Sequence, residues 1–388
     1  MSAAVPIIYI LLRLPSGDPA CLVRASLVCK PWRRLLSDRA FLRRYRAFHR
    51  TPPMLGFFNQ HLDMVRGFVP TTQVSLPVPL PPPAGCTLDC RHGRVLLYTW
   101  KDLSRLTVWD PITGDQQSFC SPLDPDRCFA AAVLCASDGC DHLKCSGGPF
   151  LVVIAGIWKG PGDRGVPLSS VYSSETGAWS APTTFDLTCY IDRITPSLLA
   201  VDALYFTVQF GVAILRHDLV RGVPSVISMP PIDQKDMCLV MADDGGLGVA
   251  AVEGYSLHLW SWRANSDGPR EWVHDKAIEL DGMISDVGAG VPLTSARIGA
   301  PLTWLHIIGF AECTGTVFIS TNGGANDAVF SVELKSGQIN KICKKKCVLA
   351  AIFPFMSFYT PGTSIIPLNI IPRFVICQYL LFCKCIGS

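Results

Sequence analysis

Cys135, Cys140, His142 and Cys145 fall in one short stretch, and Cys86, Cys90 and His92 form a second group. Thiolates and imidazoles are the donors that Zn2+ prefers, and a structural zinc site closes when four of them converge on a tetrahedron. Such sites commonly draw their sulfurs from tight C-x-x-C pairs. Neither group has that spacing, and the first sits in a glycine-containing insertion between apolar runs. The expectation is loop thiols, with no metal and no cofactor. Asp243-Asp244-Gly245-Gly246-Leu247-Gly248 is dense in glycine but lacks the Lys-Ser/Thr of a phosphate loop, and a strand pattern follows it. It predicts a hairpin turn. His217, His258, His274 and His306 stand singly, where packing is the expected role. No nucleophile elbow, zinc-protease helix or paired-carboxylate motif occurs, so the chain is read as non-catalytic.

The elements that position these residues begin with the first fifty. Asp18 before Pro19 is a helix opening: a carboxylate N-cap, then a proline whose missing N–H costs nothing in the first turn. Leu22, Val23, Ser26, Leu27 and Cys29 recur at helical spacing. Pro31 restarts the chain with Trp32, Leu35 and Leu36 on one face. Asp38 caps a further helix that places Phe41, Leu42, Tyr45 and Phe48 together. Such short helices cannot bury much surface alone and need a second domain or a partner against them.

Leu11-Leu12-Arg13-Leu14-Pro15, then Ala25-Ser26-Leu27-Val28-Cys29-Lys30-Pro31-Trp32-Arg33-Arg34-Leu35-Leu36, then Phe41-Leu42-Arg43-Arg44-Tyr45 resembles an F-box, most closely those of the large families of grasses and other plants. The resemblance implies that the helices dock on the small adaptor subunit of a cullin-type (SCF) ubiquitin ligase. It assigns the adaptor interface, or the packing behind it, to Leu12, Leu14, Pro15, Leu27, Val28, Trp32, Leu35 and Leu36. Family members usually begin with a Leu-Pro pair followed by acidic residues. Counting back puts that pair at Ser2 and Ala3, so the first turn of the first helix is altered, with Pro6 opening a shortened helix. This departure keeps an alternative in play: a protein-interaction module uncoupled from the ligase.

Composition agrees with a small helical unit on a strand-rich body. Residues 1–50 carry ten Lys/Arg against Asp18 and Asp38, a charge of +8, and the rest carries −5, for the total of +3. A basic helical unit suits an acidic partner. No nucleic-acid-binding module is recognisable, and none is expected as a partner. The 17 cysteines are scattered through apolar runs, and Pro6–Leu12 is too short for a secretory signal, which points to the cytosol or nucleus.

From Gly93 the chain repeats loosely. Units begin near Gly93, Phe150, Ala203, Gly246 and Trp304, each with several strand-like runs and a turn such as Thr113-Gly114, Glu175-Thr176-Gly177 or Lys335-Ser336-Gly337. A period of about fifty residues with several strands per unit is the signature of propeller blades. Plant F-box proteins commonly carry such a propeller-like domain, which the units resemble. Ile352–Pro361 is expected to pair with Met54–Asn59, completing a sixth blade from both chain ends. The tryptophans in or beside strands are expected in inter-blade core, with some on a binding surface. Ser75–Gly85 is a proline-rich connector, and Lys344-Lys345-Lys346 a solvated turn. Thr363–Ser388 has no blade pattern, and Pro367, Pro372 and Arg373 interrupt it, so no membrane partner is expected.

The expected architecture is α+β multidomain. A three-helix F-box-like unit at 7–50 is followed by a mainly antiparallel β-propeller of about six blades at 51–362 that binds an unknown target protein, and then by a tail at 363–388 outside the core.

Overall fold

The computed structural model describes residues 4–61, 67–71, 85–99, 105–123, 129–143, 145, 147–159, 165–186, 191, 195–208, 211–232, 236–264, 268–281, 304–322, 328–344 and 349–359. The expected Leu-Pro position at Ser2 and Ala3, the proline-rich stretch up to residue 84 and the tail at 363–388 lie outside the described residues.

The helical unit has four helices rather than three: α1 (Ala4–Leu12), α2 (Pro19–Val28), α3 (Lys30–Leu36) and α4 (Arg39–His49). The helix beyond the three read from Asp18 onward is α1, the one expected to open at Pro6; it has no acidic residue in its first turn and an apolar sequence with little face-to-face contrast. Pro6 falls in its first turn, where backbone N–H groups have no helical partner to lose. The other starts are those read from the sequence. Asp18 accepts the Ala20 N–H, and Asp38 accepts the N–H groups of Ala40 and Phe41.

The described strands form six antiparallel sheets arranged as propeller blades. The first joins β1 (Met54–His61) and β2 (Phe68–Pro70) to the last strand, β24 (Leu349–Met356), with Phe57 opposite Pro354 and Phe58 opposite Phe353. The expected closure by both chain ends is present, and it removes an open sheet edge. The second blade is β3 (Gly85–Arg91), β4 (Arg94–Thr99), β5 (Arg105–Trp109) and β6 (Gln116–Cys120). The third is β7 (Phe129–Cys135), β8 (Phe150–Lys159), β9 (Gly165–Ser173) and β10 (Ala178–Trp179), with β11 (Thr183–Thr184) also on β9. The fourth is β12 (Leu198–Ala200), β13 (Ala203–Val208), β14 (Ala213–Asp218) and β15 (Pro224–Ser228). The fifth is β16 (Met237–Met241), β17 (Leu247–Glu253), β18 (Ser256–Ala264) and β19 (Arg270–Glu279). The sixth is β20 (Trp304–Ala311), β21 (Thr316–Asn322), β22 (Ala328–Glu333) and β23 (Ile339–Lys344).

Strands β3, β7, β12, β16, β20 and β24 line the centre, and β24 meets both β3 and β20 to close the ring. Central strands are covered on both faces, so they read as apolar runs; β7 is buried from Phe129 to Leu134. Outer strands face water, and β19 has no fully buried residue. Four outer turns repeat one device: the N–H groups of Gly114, Gly177, Gly222 and Gly337 donate to the carbonyls of Asp110, Ser173, Asp218 and Glu333 at 2.8–2.9 Å. Each glycine has φ between 67° and 83°, a conformation that a Cβ would strain. The Asp243–Gly248 stretch is a hairpin turn as expected, with Ala242 donating to Gly246.

Candidate docking interfaces

Leu11, Leu22, Leu36, Phe41 and Tyr45 form the core of the helical unit. Against this core the eight residues assigned to the adaptor interface separate into two roles. Leu12 and Leu36 are buried within the unit, so they support the interface rather than touch a partner. Leu14, Trp32 and Leu35 are half-buried and pack on the same core, each with one side open. Pro15 is exposed. Leu27 and Val28, at the C-terminal end of α2, are 51% and 41% exposed. They stand beside exposed Pro31 at the start of α3, with exposed Arg33 and Arg34 one turn on. Tyr9, Ile10 and Phe48 are also exposed, and sequence reasoning did not assign them to the interface. The Leu12–Pro15 loop is held from behind: Tyr45 donates its hydroxyl to the Leu14 carbonyl at 2.9 Å, and His49 Nε2 lies 3.0 Å from the Leu12 carbonyl.

The unit is not free-standing. Phe358, just after β24, enters the helical core and meets Tyr45 edge-on with ring centroids 6.3 Å apart. Leu143, from the β7–β8 loop, packs on the same core. A cleft of about 420 Å³ runs along this joint between Arg46, Ile112, Asp141 and Ser357. Burial pushes the Arg46 guanidinium below its ordinary value, and Asp141 partly restores it.

The same loop brings one of the two Cys/His groups together. Cys135, Cys140, His142 and Cys145 converge, with their donor atoms all within 4.8 Å of one another. Sequence spacing did not reveal this because the loop folds back on itself between β7 and β8. The second group does not assemble in the same way. Cys86 is buried in the blade core, while His92 stacks flat on His142 with ring centroids 4.0 Å apart.

In the central channel Arg91 ties three blades together. It donates to Asp89 at 2.6 Å, to both carboxylate oxygens of Glu312 at 2.6 and 3.1 Å, and to the Ser197 carbonyl at 3.1 Å. Asp89 also accepts the Val133 N–H at 2.8 Å. Burial pushes the Asp89 carboxyl up to about 6, against the pull of Arg91. Arg91 is held charged, above its ordinary range, by its two carboxylates. Sequence reasoning missed this set because its members lie in three different blades. It is a hydrogen-bonded bolt between blades.

The single histidines are placed as expected or paired. His217 is buried, with Nδ1 3.1 Å from the Ser169 hydroxyl, and burial lowers its value. His258 and His274 lie 3.1 Å apart on the exposed outer surface, and His306 Nδ1 is 2.6 Å from Asp236. Trp109 is core and Trp158 is exposed. Among the described residues no helix is long and apolar enough to cross a membrane.

Residues 5–44 match the F-box domain family, and residues 86–362 match the family described as F-box protein AT5G49610-like, beta-propeller. The chain belongs to this F-box propeller family. No curated protein matches the chain. Solved structures similar to it include the Myceliophteria thermophila Cps50 (Swd1) beta-propeller domain, at 10% identity, covering 66% of this chain and 70% of that one with a TM-score of 0.35. YjhT is similar at 10% identity, with 70% and 86% covered and a TM-score of 0.39. A Bacteroides caccae protein of unknown function is similar at 10% identity, with 69% and 84% covered and a TM-score of 0.37.

Proposed function

We propose that this F-box propeller protein is a non-catalytic substrate-receptor subunit of an SCF-type ubiquitin ligase, working in the cytosol or nucleus. The observation that supports this most is the exposure of Leu27, Val28 and Pro31 at the α2–α3 corner, next in sequence to half-buried Trp32 and Leu35, on helices that pack a core of their own. An apolar centre with a basic rim fits a small adaptor that is acidic around an apolar groove. The propeller then holds a target protein. Ubiquitin transfer gains from raised effective concentration, and no covalent step belongs to this chain.

Strand direction indicates where the target would bind. The helices occupy the face that carries the β3–β4, β5–β6 and β7–β8 connections. Strands alternate in direction within each blade, so the C-terminal end of β8 and the start of β14 lie on the opposite face. Trp158 and Val212, 40% and 49% exposed, sit at those strand ends in adjacent blades. An exposed tryptophan is a strong candidate anchor.

A pull-down with a purified adaptor subunit tests the reading. The intact chain should retain the adaptor, and Leu27→Asp with Val28→Asp should not. A second reading, an interaction module uncoupled from the ligase, is favoured by the missing acidic residues in the first turn of α1. It takes over if the intact chain retains no adaptor and replacing Ser2-Ala3 with Leu-Pro restores none. The target is sought by co-purification with peptide identification, comparing the intact chain with Trp158→Ala.

A further inference from the structure

We infer that Cys135, Cys140, His142 and Cys145 bind one Zn2+ ion, and that this ion braces the helical unit against the propeller. Cys140 Sγ lies 3.7 Å from Cys145 Sγ, and Cys145 Sγ lies 3.6 Å from His142 Nδ1. A tetrahedral zinc with Zn–S of about 2.3 Å and Zn–N of about 2.0 Å has S···S edges of about 3.8 Å and S···N edges of about 3.5 Å. Two edges of the cluster therefore have the lengths that a bound ion imposes, and the other donor separations stay within 4.8 Å. A disulfide would draw two sulfurs to about 2.05 Å and leave Cys135 and His142 without a role. Three thiolates and one imidazole are a soft, closed set that suits structural zinc.

The loop is folded to present these donors. Cys135 ends β7, and the Ala136 N–H donates to the Pro149 carbonyl at 3.1 Å, closing the base of the loop. The N–H groups of Cys140 and Gly148 donate to the carbonyls of Ser137 and Cys145. His142 itself has φ of +55°. A non-glycine residue held there is strained, and strain of this kind persists where a function or a ligand compensates it.

The surroundings supply an orienting partner and a counter-charge. His92 stacks on His142 with an interplanar angle of 8°, and its Nδ1 accepts the Cys135 N–H at 3.3 Å. The buried Arg94 donates from Nη2 to the carbonyls of Cys145 and, at 2.6 Å, Gly148. Its Nη1 has no hydrogen-bond partner among the described residues. Among the described residues no carboxylate forms an ion pair with it. Zinc bound by three thiolates and a neutral imidazole carries one net negative charge, which this cation balances. Binding releases the three thiol protons to solvent and changes no oxidation state.

The bracing role follows from chain geometry. Leu143, the residue after His142, packs into the helical core together with Phe358. Asp141, the residue before it, lines the joint with Arg46. Fixing His142 therefore fixes its two neighbours at the joint, Asp141 in the cleft and Leu143 on the helical core.

The full chain, purified under reducing conditions, should carry one zinc per chain by plasma mass spectrometry. Co2+ in its place should give the intense visible absorption of tetrahedral cobalt thiolate. Cys140→Ser and His142→Ala should each weaken zinc binding by at least about tenfold, by analogy with loss of groups that support a metal site, while Cys120→Ser, an exposed cysteine elsewhere, should not. If a variant fails to fold by circular dichroism, chelation and reconstitution of the unaltered chain carry the test. Chelation should leave the sheet signal in place and raise protease cleavage at residues 50–53 several-fold. A folded, reduced chain that takes up neither zinc nor cobalt overturns the site. So do a mapped Cys140–Cys145 disulfide in the reduced protein and unchanged zinc binding in both variants. Unchanged cleavage after chelation overturns the bracing role.

Discussion

In the propeller, large apolar side chains such as Phe57, Phe129, Phe206, Phe318 and Phe353 are fully buried, and both chain ends are stitched into one blade. In the helical unit, Tyr9, Ile10, Leu27, Val28 and Phe48 remain exposed, and part of the core is lent by Phe358 and Leu143 from the propeller. The propeller's core is built almost wholly from its own strands, with Val23 of α2 packed at its edge, whereas the helices draw part of their core from the propeller and leave an apolar side open. A body with its own closed core can serve as a rigid platform, even where single side chains such as Trp158, Val201 and Val220 stay exposed. A unit with unsatisfied apolar surface marks where another protein is expected. The comparison separates the mutations: those in the propeller should change stability and spare adaptor binding, and those on the helical face should do the reverse.

The largest effect is expected at the closing blade. Phe355 is fully buried in β24 and meets Phe58 and Phe68 edge-on, with ring centroids 5.9 and 6.2 Å away. Phe355→Ala should cost about 3–5 kcal/mol in chemical denaturation. A loss under about 1 kcal/mol would mean that closure by the two ends is not what holds the ring. Next is the channel. Arg91→Met leaves buried Asp89 and half-buried Glu312 without their cation and should cost about 3 kcal/mol or more. The pH dependence of the intact chain reports the same bolt. The Asp89 carboxyl is raised to about 6 in the folded state, so its contribution is fully present below the unfolded value near 4 and is lost as pH rises through about 6. Asp89→Asn should flatten that part of the thermal midpoint profile, and an unaltered profile would remove Asp89 as its source.

These two regions were also unequally legible in the sequence. Helix starts at Asp18 and Asp38 were readable because a capping carboxylate acts on residues two or three positions away. Helix α1 was readable only through Pro6, because it has neither an acidic first turn nor a marked polar face. The repeats were readable from the glycine turns, yet four of the five units were started one strand late. Strands β3, β7, β12 and β16 precede those starts. Central strands are short apolar runs whose first residues carry no turn signal, so periodicity does not announce them. The cysteine–histidine cluster and the Arg91 bolt were invisible for a related reason. Both depend on chain segments brought together by blade order and loop folding, which local spacing does not encode.

On the helical side, Trp32→Ala should weaken adaptor binding by about 2 kcal/mol. Trp32 packs on the helical core while remaining half open, so circular dichroism of the variant must show the helices retained. A loss of binding with loss of helix would place Trp32 in the core alone.

The smallest expected effect lies where the two regions meet. Tyr45 is in the helical core, touches Phe358 of the propeller, and donates its hydroxyl to the Leu14 carbonyl in the loop that leads to Pro15. Burial raises the hydroxyl well above its ordinary value, so it remains a donor throughout the working pH range. Tyr45→Phe keeps the ring and its packing but leaves the Leu14 carbonyl without this donor. A net hydrogen bond of this kind is worth about 1 kcal/mol. Because the lost bond holds the loop rather than the helices, the change should appear as a several-fold weaker affinity for the adaptor with little movement of the thermal midpoint. A shift of the midpoint with unchanged affinity would place this hydroxyl in the platform, and the Leu14–Pro15 loop would then no longer belong to the docking face.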